Sequence, residues 1–234
     1  MTDVDLNAVG CPQKGQPLDE LMKERMPAAA GVAAFAKRAV DAALAFIALL
    51  VISPLLAMAC VSLFIIQGGP VFVTQKRVGR HGVMFPCIKF RTMVTNGEEV
   101  LARHLALNPS EQQEWDTNRK LRADPRVTPF GALLRKSSLD ELPQLINVLV
   151  GDMSMVGPRP ITMAEAQYYG PHFPDYLSVR PGLTGLWQIS GRSDTSYAER
   201  VKLDVSYVAN RSLWGDFAIM AKTIPAVLSA RSSY

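Results

Sequence analysis

Ala42-Ala-Leu-Ala-Phe-Ile-Ala-Leu-Leu-Val-Ile-Ser53-Pro54-Leu-Leu-Ala-Met-Ala-Cys-Val-Ser-Leu-Phe-Ile-Ile66 is a run of 25 residues without a formal charge, and its reading decides the architecture. Length alone suggests a helix that crosses a bilayer. Three features predict instead a re-entrant hairpin that enters and leaves by one face. Ser53-Pro54 sits at the middle, where proline removes a backbone donor and kinks the helix while a serine hydroxyl can satisfy the freed carbonyl. Each arm, 42–52 and 55–66, is about 16–18 Å long at roughly 1.5 Å per residue, which reaches mid-bilayer without crossing it. Lys37 and Arg38 precede the run, and Lys76, Arg77 and Arg80 follow it, so both flanks read as cytoplasmic. Each such cation near the surface attracts anionic lipid by about 1 kcal/mol. The plain alternative is a spanning helix kinked at Pro54.

Outward from this run, the chain divides into a mobile tail (1–34), a re-entrant membrane helix (35–67) and a cytosolic domain (68–234). The tail is polar, with one short helix expected near 18–25, and its acidic start is unlike a signal peptide. Asp3-Val4-Asp5 at a free terminus reads as solvated. At 234 residues and 48% hydrophobic the chain can bury one sizeable core beside the anchor. The net charge of +4 suits an anionic partner, but the cations are scattered among apolar residues rather than gathered in a stripe. That argues against nucleic acid and for anionic lipid or a nucleotide diphosphate. The three cysteines are far apart and have no histidine neighbours, so neither a disulfide framework nor a zinc site is indicated. The sequence leaves the oligomeric state open, and a homodimer is compatible with it.

The rest of the chain reads as α+β, mostly helical. Gly breaks and alternation over 68–79 and 84–93 predict a short β-hairpin. By the period of two, Lys89 and Arg91 share a face on its second strand, either of them able to meet a phosphate; solvated strand charges are the alternative. Helices are expected at 98–107, 109–120, Pro129–Lys136, Tyr197–Asn210 and Leu213–Leu228, the last suited to lie in the membrane interface. Asp204 falls on an apolar helix face, so a buried ion pair or a site role is expected. The segment 180–194 is rich in turn residues, its Pro181-Gly182 suits a type II turn, and its Arg192 is a candidate for a ligand cleft.

The segment from Arg135 to Pro160 carries the chemistry. Asp140 and Glu141 adjoin one another, Arg135, Lys136 and Arg159 bracket them, and Gly157-Pro-Arg-Pro160 closes the stretch. Ser138-Leu-Asp-Glu141 also fits a capping box, in which Ser and Glu merely satisfy the amides of a helix start. Pro143 favours a helix beginning there, with the carboxylates in the turn before it. Either way the pair sits at the positive end of a helix, where a carboxylate is held ionised as a nucleophile or metal ligand must be. Arginine forks match phosphate oxygens, so a phosphate-handling site follows.

Ser138-Leu-Asp-Glu-Leu-Pro-Gln-Leu, with Gly151-Asp-Met-Ser and Val156-Gly-Pro-Arg-Pro160, resembles the signature of the bacterial sugar transferases, the monotopic polyprenol-phosphate phosphoglycosyl transferases. Gln75-Lys-Arg-Val-Gly, Lys89-Phe-Arg-Thr-Met and Pro181-Gly-Leu-Thr-Gly extend the resemblance, which runs from about residue 36 to the end. The loop Leu186-Trp-Gln-Ile-Ser-Gly-Arg192 and the closing Lys222-Thr-Ile-Pro-Ala-Val look most like small exopolysaccharide-initiating enzymes that handle galactose 1-phosphate. The resemblance implies a re-entrant enzyme of the bacterial inner membrane, its catalytic domain facing the cytoplasm. Such an enzyme moves a sugar 1-phosphate from a UDP-sugar to undecaprenyl phosphate and releases UMP. It implies Asp140 as nucleophile and Glu141 as its acidic partner, with Lys89, Arg91, Arg135, Pro158, Arg159 and Arg192 around the phosphates. Mg2+ held by Asp140 and Glu141 together with the diphosphate would offset the repulsion between carboxylate and phosphorus. UDP-galactose and UDP-glucose are not told apart by these residues. The rival from another class is a non-catalytic, membrane-docked scaffold in which Ser138–Glu141 is only a cap.

Overall fold

Residues 28–118, 121, 123–190 and 196–228 are described by the computed structural model. The tail up to residue 27, with its expected helix near 18–25, and Arg192 lie outside the described residues. The apolar run belongs to one continuous helix, α1 (Ala28–Gln67), of 40 residues with Pro54 inside it. A single helix thus contains both arms of the expected hairpin, with Pro54 between them. It begins before the boundary expected at residue 35 because the stretch from Ala28 is rich in alanine, the strongest helix former. Pro54 deprives the Leu50 carbonyl of its helical donor, and the Ser53 hydroxyl donates to that carbonyl at 2.8 Å.

One edge of α1 docks on the rest of the protein along its length. Before Pro54, Ala45, Ala48, Leu49 and Ile52 pack against Phe85, Leu145, Val148 and Met153. Beyond it, Leu56, Ala59, Cys60 and Leu63 pack against Phe90 and Leu134. The other face leaves Phe46, Val51, Met58, Phe64 and Ile65 exposed. Only 11% of the most apolar window of α1 is buried, and its mean hydropathy is 2.7, so the bare face suits hydrocarbon.

Both ends of the apolar run are fastened to the same body. Lys37 Nζ lies 2.6 Å from Asp41 and 3.0 Å from Asp216, and donates to Ser154 Oγ at 2.7 Å. Arg38 donates to the carbonyls of Val148 and Leu149, both at 2.7 Å. At the far end, Arg91 Nη2 donates to the carbonyls of Gln67 (2.6 Å) and Gly68 (2.7 Å). Some of the cations that flank the run therefore bolt protein to protein, Arg38 among them.

The expected hairpin forms from β1 (Phe72–Val78) and β2 (Met84–Phe90), antiparallel with Phe72 opposite Phe90 and Val78 opposite Met84. Helices α2 (Gly97–Leu107) and α3 (Pro109–Asn118) form a side lobe around Leu101, Leu105, Trp115 and Leu121. Then follow α4 (Pro129–Lys136), a 3-10 turn at Leu139–Glu141, and α5 (Gln144–Val150).

A second, unforeseen ladder pairs β3 (Ser154–Val156) in parallel with β4 (Gly182–Thr184). Here the expected type II turn at Pro181-Gly182 is corrected. Such a turn needs a positive φ at its glycine, and Gly182 is not among the residues with one. Its lack of a side chain serves a close approach instead, since a Cβ there would strike the backbone of Gly157. Between the strands lie a 3-10 segment (Met163–His172) and α6 (Phe173–Leu177), and after them α7 (Leu186–Ser190). The last described elements are α8 (Tyr197–Asn210), opened by a Ser196–Glu199 capping box, and α9 (Leu213–Leu228). Trp214 on α9 is 84% exposed beside exposed Phe217, as an interfacial helix requires.

Candidate active site

Three elements meet at the carboxylate pair. The short turn Leu139–Glu141 follows a reversal at Ser138, whose φ of 57° and ψ of 15° are left-handed, and the Ser138 side chain caps nothing. The capping-box reading of Ser138–Glu141 is thereby overturned. Glu141 reaches across to β2 instead, where its Oε1 lies 2.6 Å from Lys89 Nζ. Lys89 is positioned by a staple from α5: buried Asn147 accepts from Ile88 N–H at 3.0 Å and donates to the Pro86 carbonyl at 2.9 Å. Arg135, in the last turn of α4, donates through Nε to Thr92 Oγ1 at 2.8 Å. Helix α4 can come this close because residue 131 is glycine, where a Cβ would collide with the Thr92 carbonyl.

The remaining wall comes from the β3–β4 ladder. Gly182 N–H donates to the Pro158 carbonyl at 2.8 Å, and Gly157 N–H to that of Thr184 at 2.9 Å, which fixes the Gly-Pro-Arg-Pro segment. Arg159 lies over the Trp187 indole, 5.1 Å from its centroid, and Arg200 lies over the same ring at 5.0 Å. The resulting small cleft is lined by Arg77, Lys89, Glu141, Gln144, Arg159 and Gln188, among others.

These surroundings drive the two neighbouring carboxyls apart. Burial, with the adjacent Glu141 charge, raises Asp140 from 3.8 to about 6, against the opposing pull of Lys89 and Arg135. Burial also works to raise Glu141, but the charges of Lys89 and Arg159 outweigh it and hold that group below its ordinary value. Glu141 is thus a fixed anion. Asp140 ionises near neutrality and, when ionised, is a more basic nucleophile than an ordinary carboxylate.

The expected site residues separate into groups. Lys89, Glu141 and Arg159 line the cleft, whereas Asp140 and Arg135 are not among its lining residues, though Arg135 and Lys89 stand near enough for their charges to act on the Asp140 carboxyl. Pro158 is fully buried under the loop it shapes and does not line the cleft. Arg91 is 5% exposed and turned to the end of α1, so it clamps the membrane helix instead of facing the carboxylates. Asp204 is 3% exposed and bound by a phenol rather than a cation: Tyr169 O–H donates to it at 2.6 Å. Burial raises it to about 7 against that bond and one from the Arg159 backbone.

Sequence reasoning missed Arg77 and Gln144 as site residues. Arg77 holds the Pro160 carbonyl and Glu165, both at 3.2 Å, and its buried Nε has no partner. Gln144 is 2% exposed with its Nε2 unpartnered. Arg77 lay within a quoted motif, but only its burial beside the cleft marks it. Among the described residues no group of three His, Cys, Asp or Glu side chains could hold a metal ion by itself. Carboxylate oxygens are the donor type that Mg2+ takes, one or two from protein with water and substrate phosphate completing the shell, and of the pair here Glu141 Oε1 is engaged by Lys89 at 2.6 Å.

Comparison with known proteins bears on what such a cleft does. The model of the bacterial sugar transferases matches residues 32–230. The chain belongs to the bacterial sugar transferase family. It is 51% identical over 203 residues to the exopolysaccharide production protein ExoY of Rhizobium meliloti, covering 87% of this chain and 90% of that protein. It is 48% identical over 200 residues to an undecaprenyl-phosphate galactose phosphotransferase of Salmonella typhimurium, covering 86% of this chain but 42% of that larger protein. A UDP-glucose:undecaprenyl-phosphate glucose-1-phosphate transferase of Caulobacter vibrioides is 37% identical over 206 residues, 85% of this chain and 72% of that one. Every residue of the sugar transferase cleft described above falls inside the family match.

Proposed function

We propose that the protein transfers a hexose 1-phosphate, galactose 1-phosphate in the first instance, from a UDP-sugar to undecaprenyl phosphate and so begins an exopolysaccharide repeat unit. The observation that carries this reading is the divided carboxylate pair, Asp140 near neutrality and Glu141 held ionised, within a ring of Lys89, Arg135, Arg159 and Arg77. Names of relatives such as the Salmonella and Caulobacter transferases supply the substrate classes.

In the first step an Asp140 oxygen attacks the sugar-bearing phosphorus. The bond from that phosphorus to the bridging oxygen breaks, and UMP leaves with the oxygen and its electron pair. In the second step a phosphate oxygen of the lipid attacks the same phosphorus, giving a diphosphate-linked sugar and restoring the Asp140 carboxylate. No net proton is consumed. Splitting the transfer in this way spares the lipid phosphate from displacing UMP directly, because it meets an acyl phosphate instead. Lys89, Arg159 and Arg135 offset charge that develops on the transferred group. Asp140 and Glu141 are the residues that would hold Mg2+, which would supply further neutralisation of the diphosphate.

Docking of α1 supports a one-sided membrane disposition. Its segments before and after Pro54 pack on the same body, and its two ends are fastened there by Lys37, Arg38 and Arg91. A helix crossing a core about 30 Å thick would carry one of those ends to the far side. In this reading α1 dips into the cytoplasmic leaflet of the inner membrane and returns, so the cleft faces the cytoplasm at the level of a lipid phosphate.

Mass spectrometry after incubation with UDP-galactose or UDP-glucose alone tests the proposal. A hexose-phosphate mass on the peptide containing Asp140 is expected, together with stoichiometric UMP. Turnover by Asp140→Asn at the normal rate would overturn the assignment.

A further inference from the structure

Two buried donors in the lining of the cleft have no acceptor among the described residues. Gln144 lines the cleft at 2% exposure, and its Nε2 is without a hydrogen-bond partner. Arg77 lines it as well, and its buried Nε is also without one. The enclosed space between the lining residues is about 10 Å³, close to the least that holds one water-sized atom. Buried donors left unpaired are costly and uncommon in folded proteins, so two of them on one small space mark a place for an atom that accepts from both.

The rest of the Arg77 guanidinium is occupied. Its Nη1 donates to the Pro160 carbonyl and to Glu165, both at 3.2 Å, and its Nη2 to Gln75 Oε1 at 2.6 Å. These bonds fix the plane of the group in advance and leave Nε unfilled, which is the preorganised state that charge stabilisation needs.

The lining also selects the kind of atom. Its charged and amide side chains are three cations (Arg77, Lys89 and Arg159), two amides (Gln144 and Gln188) and one carboxylate, Glu141, already engaged by Lys89 at 2.6 Å. A water or a sugar hydroxyl must donate as well as accept. A phosphoryl oxygen only accepts, and its negative charge suits a lining with more cations than anions.

Asp140 and Glu141 are consecutive in a 3-10 turn, where successive side chains point about 120° apart. A space lined by Glu141 therefore lies to the side of the nucleophile rather than along its line of attack. In phosphoryl transfer the attacking and leaving oxygens are roughly in line, and the other oxygens on phosphorus project sideways with the charge spread over them. A sideways oxygen can enter this space although Asp140 does not line it.

We propose that the cleft holds one unshared oxygen of the phosphoryl group in transit, with Gln144 Nε2 and Arg77 Nε as its donors. The inference rests on the phosphoglycosyl transfer reading and adds two catalytic residues to it. No bond to that oxygen forms or breaks, and no proton moves to it. It stays on the phosphorus while UMP departs and while the lipid phosphate attacks, so the two donors serve both half-reactions.

The test uses the full chain in phosphatidylcholine nanodiscs and the two diastereomers of a UDP-hexose with sulfur replacing one unshared oxygen on the sugar-bearing phosphorus. Sulfur is larger than oxygen and a weaker acceptor. The isomer that puts sulfur in the cleft should release UMP about 100-fold more slowly than the other, the scale of one lost oxyanion donor. Gln144→Met keeps the length of the side chain and removes the donor. It should slow UMP release from the natural UDP-hexose and the lipid-dependent discharge of the hexose phosphate by about 100-fold each, and cut the preference between sulfur isomers to about tenfold or less. Its melting temperature should equal or exceed that of the unsubstituted protein, because an unpaired buried donor gives way to an apolar group. No preference between the isomers, or one that Gln144→Met leaves unchanged, would overturn the proposal. Slowing of UMP release alone would also overturn it, by moving the contact to the departing nucleotide, as would a lowered melting temperature, by giving the amide a structural bond. If the unsubstituted protein neither releases UMP nor gains a hexose phosphate on Asp140, the transfer reading fails and this inference with it. An active unsubstituted enzyme with an equally active Gln144→Met defeats this inference alone.

Discussion

Replacing Asp140 with asparagine should stabilise the protein as it abolishes turnover, and the gain should depend on pH. Burial and the Glu141 charge raise Asp140 from 3.8 to about 6. At about 1.4 kcal/mol per pKa unit, the folded state binds that proton roughly 3 kcal/mol more tightly than the unfolded chain, and about 2 kcal/mol is expected once partial exposure is allowed for. Because the folded pKa is the higher one, the advantage is complete below about pH 4, where both states are protonated. Between about pH 4 and pH 6 the unfolded chain loses its proton first, and stability declines; above about pH 6 the loss is complete. An asparagine carries no such penalty. Asp140→Asn should therefore melt with the unsubstituted protein at pH 4 and above it at pH 8. For a chain of this size the gap corresponds to roughly 4–8 °C. Thermal unfolding in nanodiscs across that pH range, read by tryptophan fluorescence, gives the comparison. Equal melting temperatures at pH 8, or a lower one for the variant, would refute the claim that the site strains its nucleophile.

The other residues of the site make separable predictions. Lys89→Met removes the closest charge that holds Glu141 ionised; it should cost about 1–3 kcal/mol of stability and shift the acid limb of the rate against pH to higher pH, measured as UMP release. Arg91→Lys should loosen the end of α1 and lower stability by about 1–3 kcal/mol while the UDP-sugar KM holds, because Arg91 binds the Gln67 and Gly68 carbonyls and not the cleft. An equally large rise in that KM would return Arg91 to the phosphate site. Gly182→Ala forces a Cβ into the Gly157 backbone and should cost about 2–4 kcal/mol in denaturant titration, with loss of activity as the Arg159 loop shifts.

Sequence periodicity was enough for the elements whose stability is local. The hairpin at β1 and β2 and the helices α4, α8 and α9 lie where alternation, capping and apolar spacing place them. The β3–β4 ladder was hidden because each strand has three residues and its partner is more than twenty positions away, so no window contains the signal. The same limit applies to the site. Adjacent carboxylates and a bracketing arginine are visible as a string, but the burial that raises Asp140 is not. Arg91 shows the opposite failure: a period of two puts it beside Lys89, yet β2 ends at Phe90 and the chain turns its guanidinium toward α1. Ser138 and Glu141 have the spacing of a cap, but a left-handed Ser138 and the Lys89 contact exclude one.

Three consecutive residues at the end of β2 join the membrane anchor to the chemistry. Lys89 binds Glu141, Phe90 packs on Leu63 of α1 and Leu134 of α4, and Arg91 holds the carbonyls at the end of α1. A strand advances about 3.3 Å per residue, so the carboxylate pair and the exit of the membrane helix are held within a few ångströms of a fixed offset by covalent backbone. At the other end, Asn147 ties α5 to the same strand, and the carbonyls of Val148 and Leu149 take Arg38 from the entry of α1. Both ends of the apolar run of α1 are therefore referred to one short strand, and that strand carries the lysine on which the charge of Glu141 depends. Under the proposed reaction, a nucleophile that must meet a lipid phosphate would gain from such an arrangement, because height above the lipid would be a property of the fold rather than of a linker.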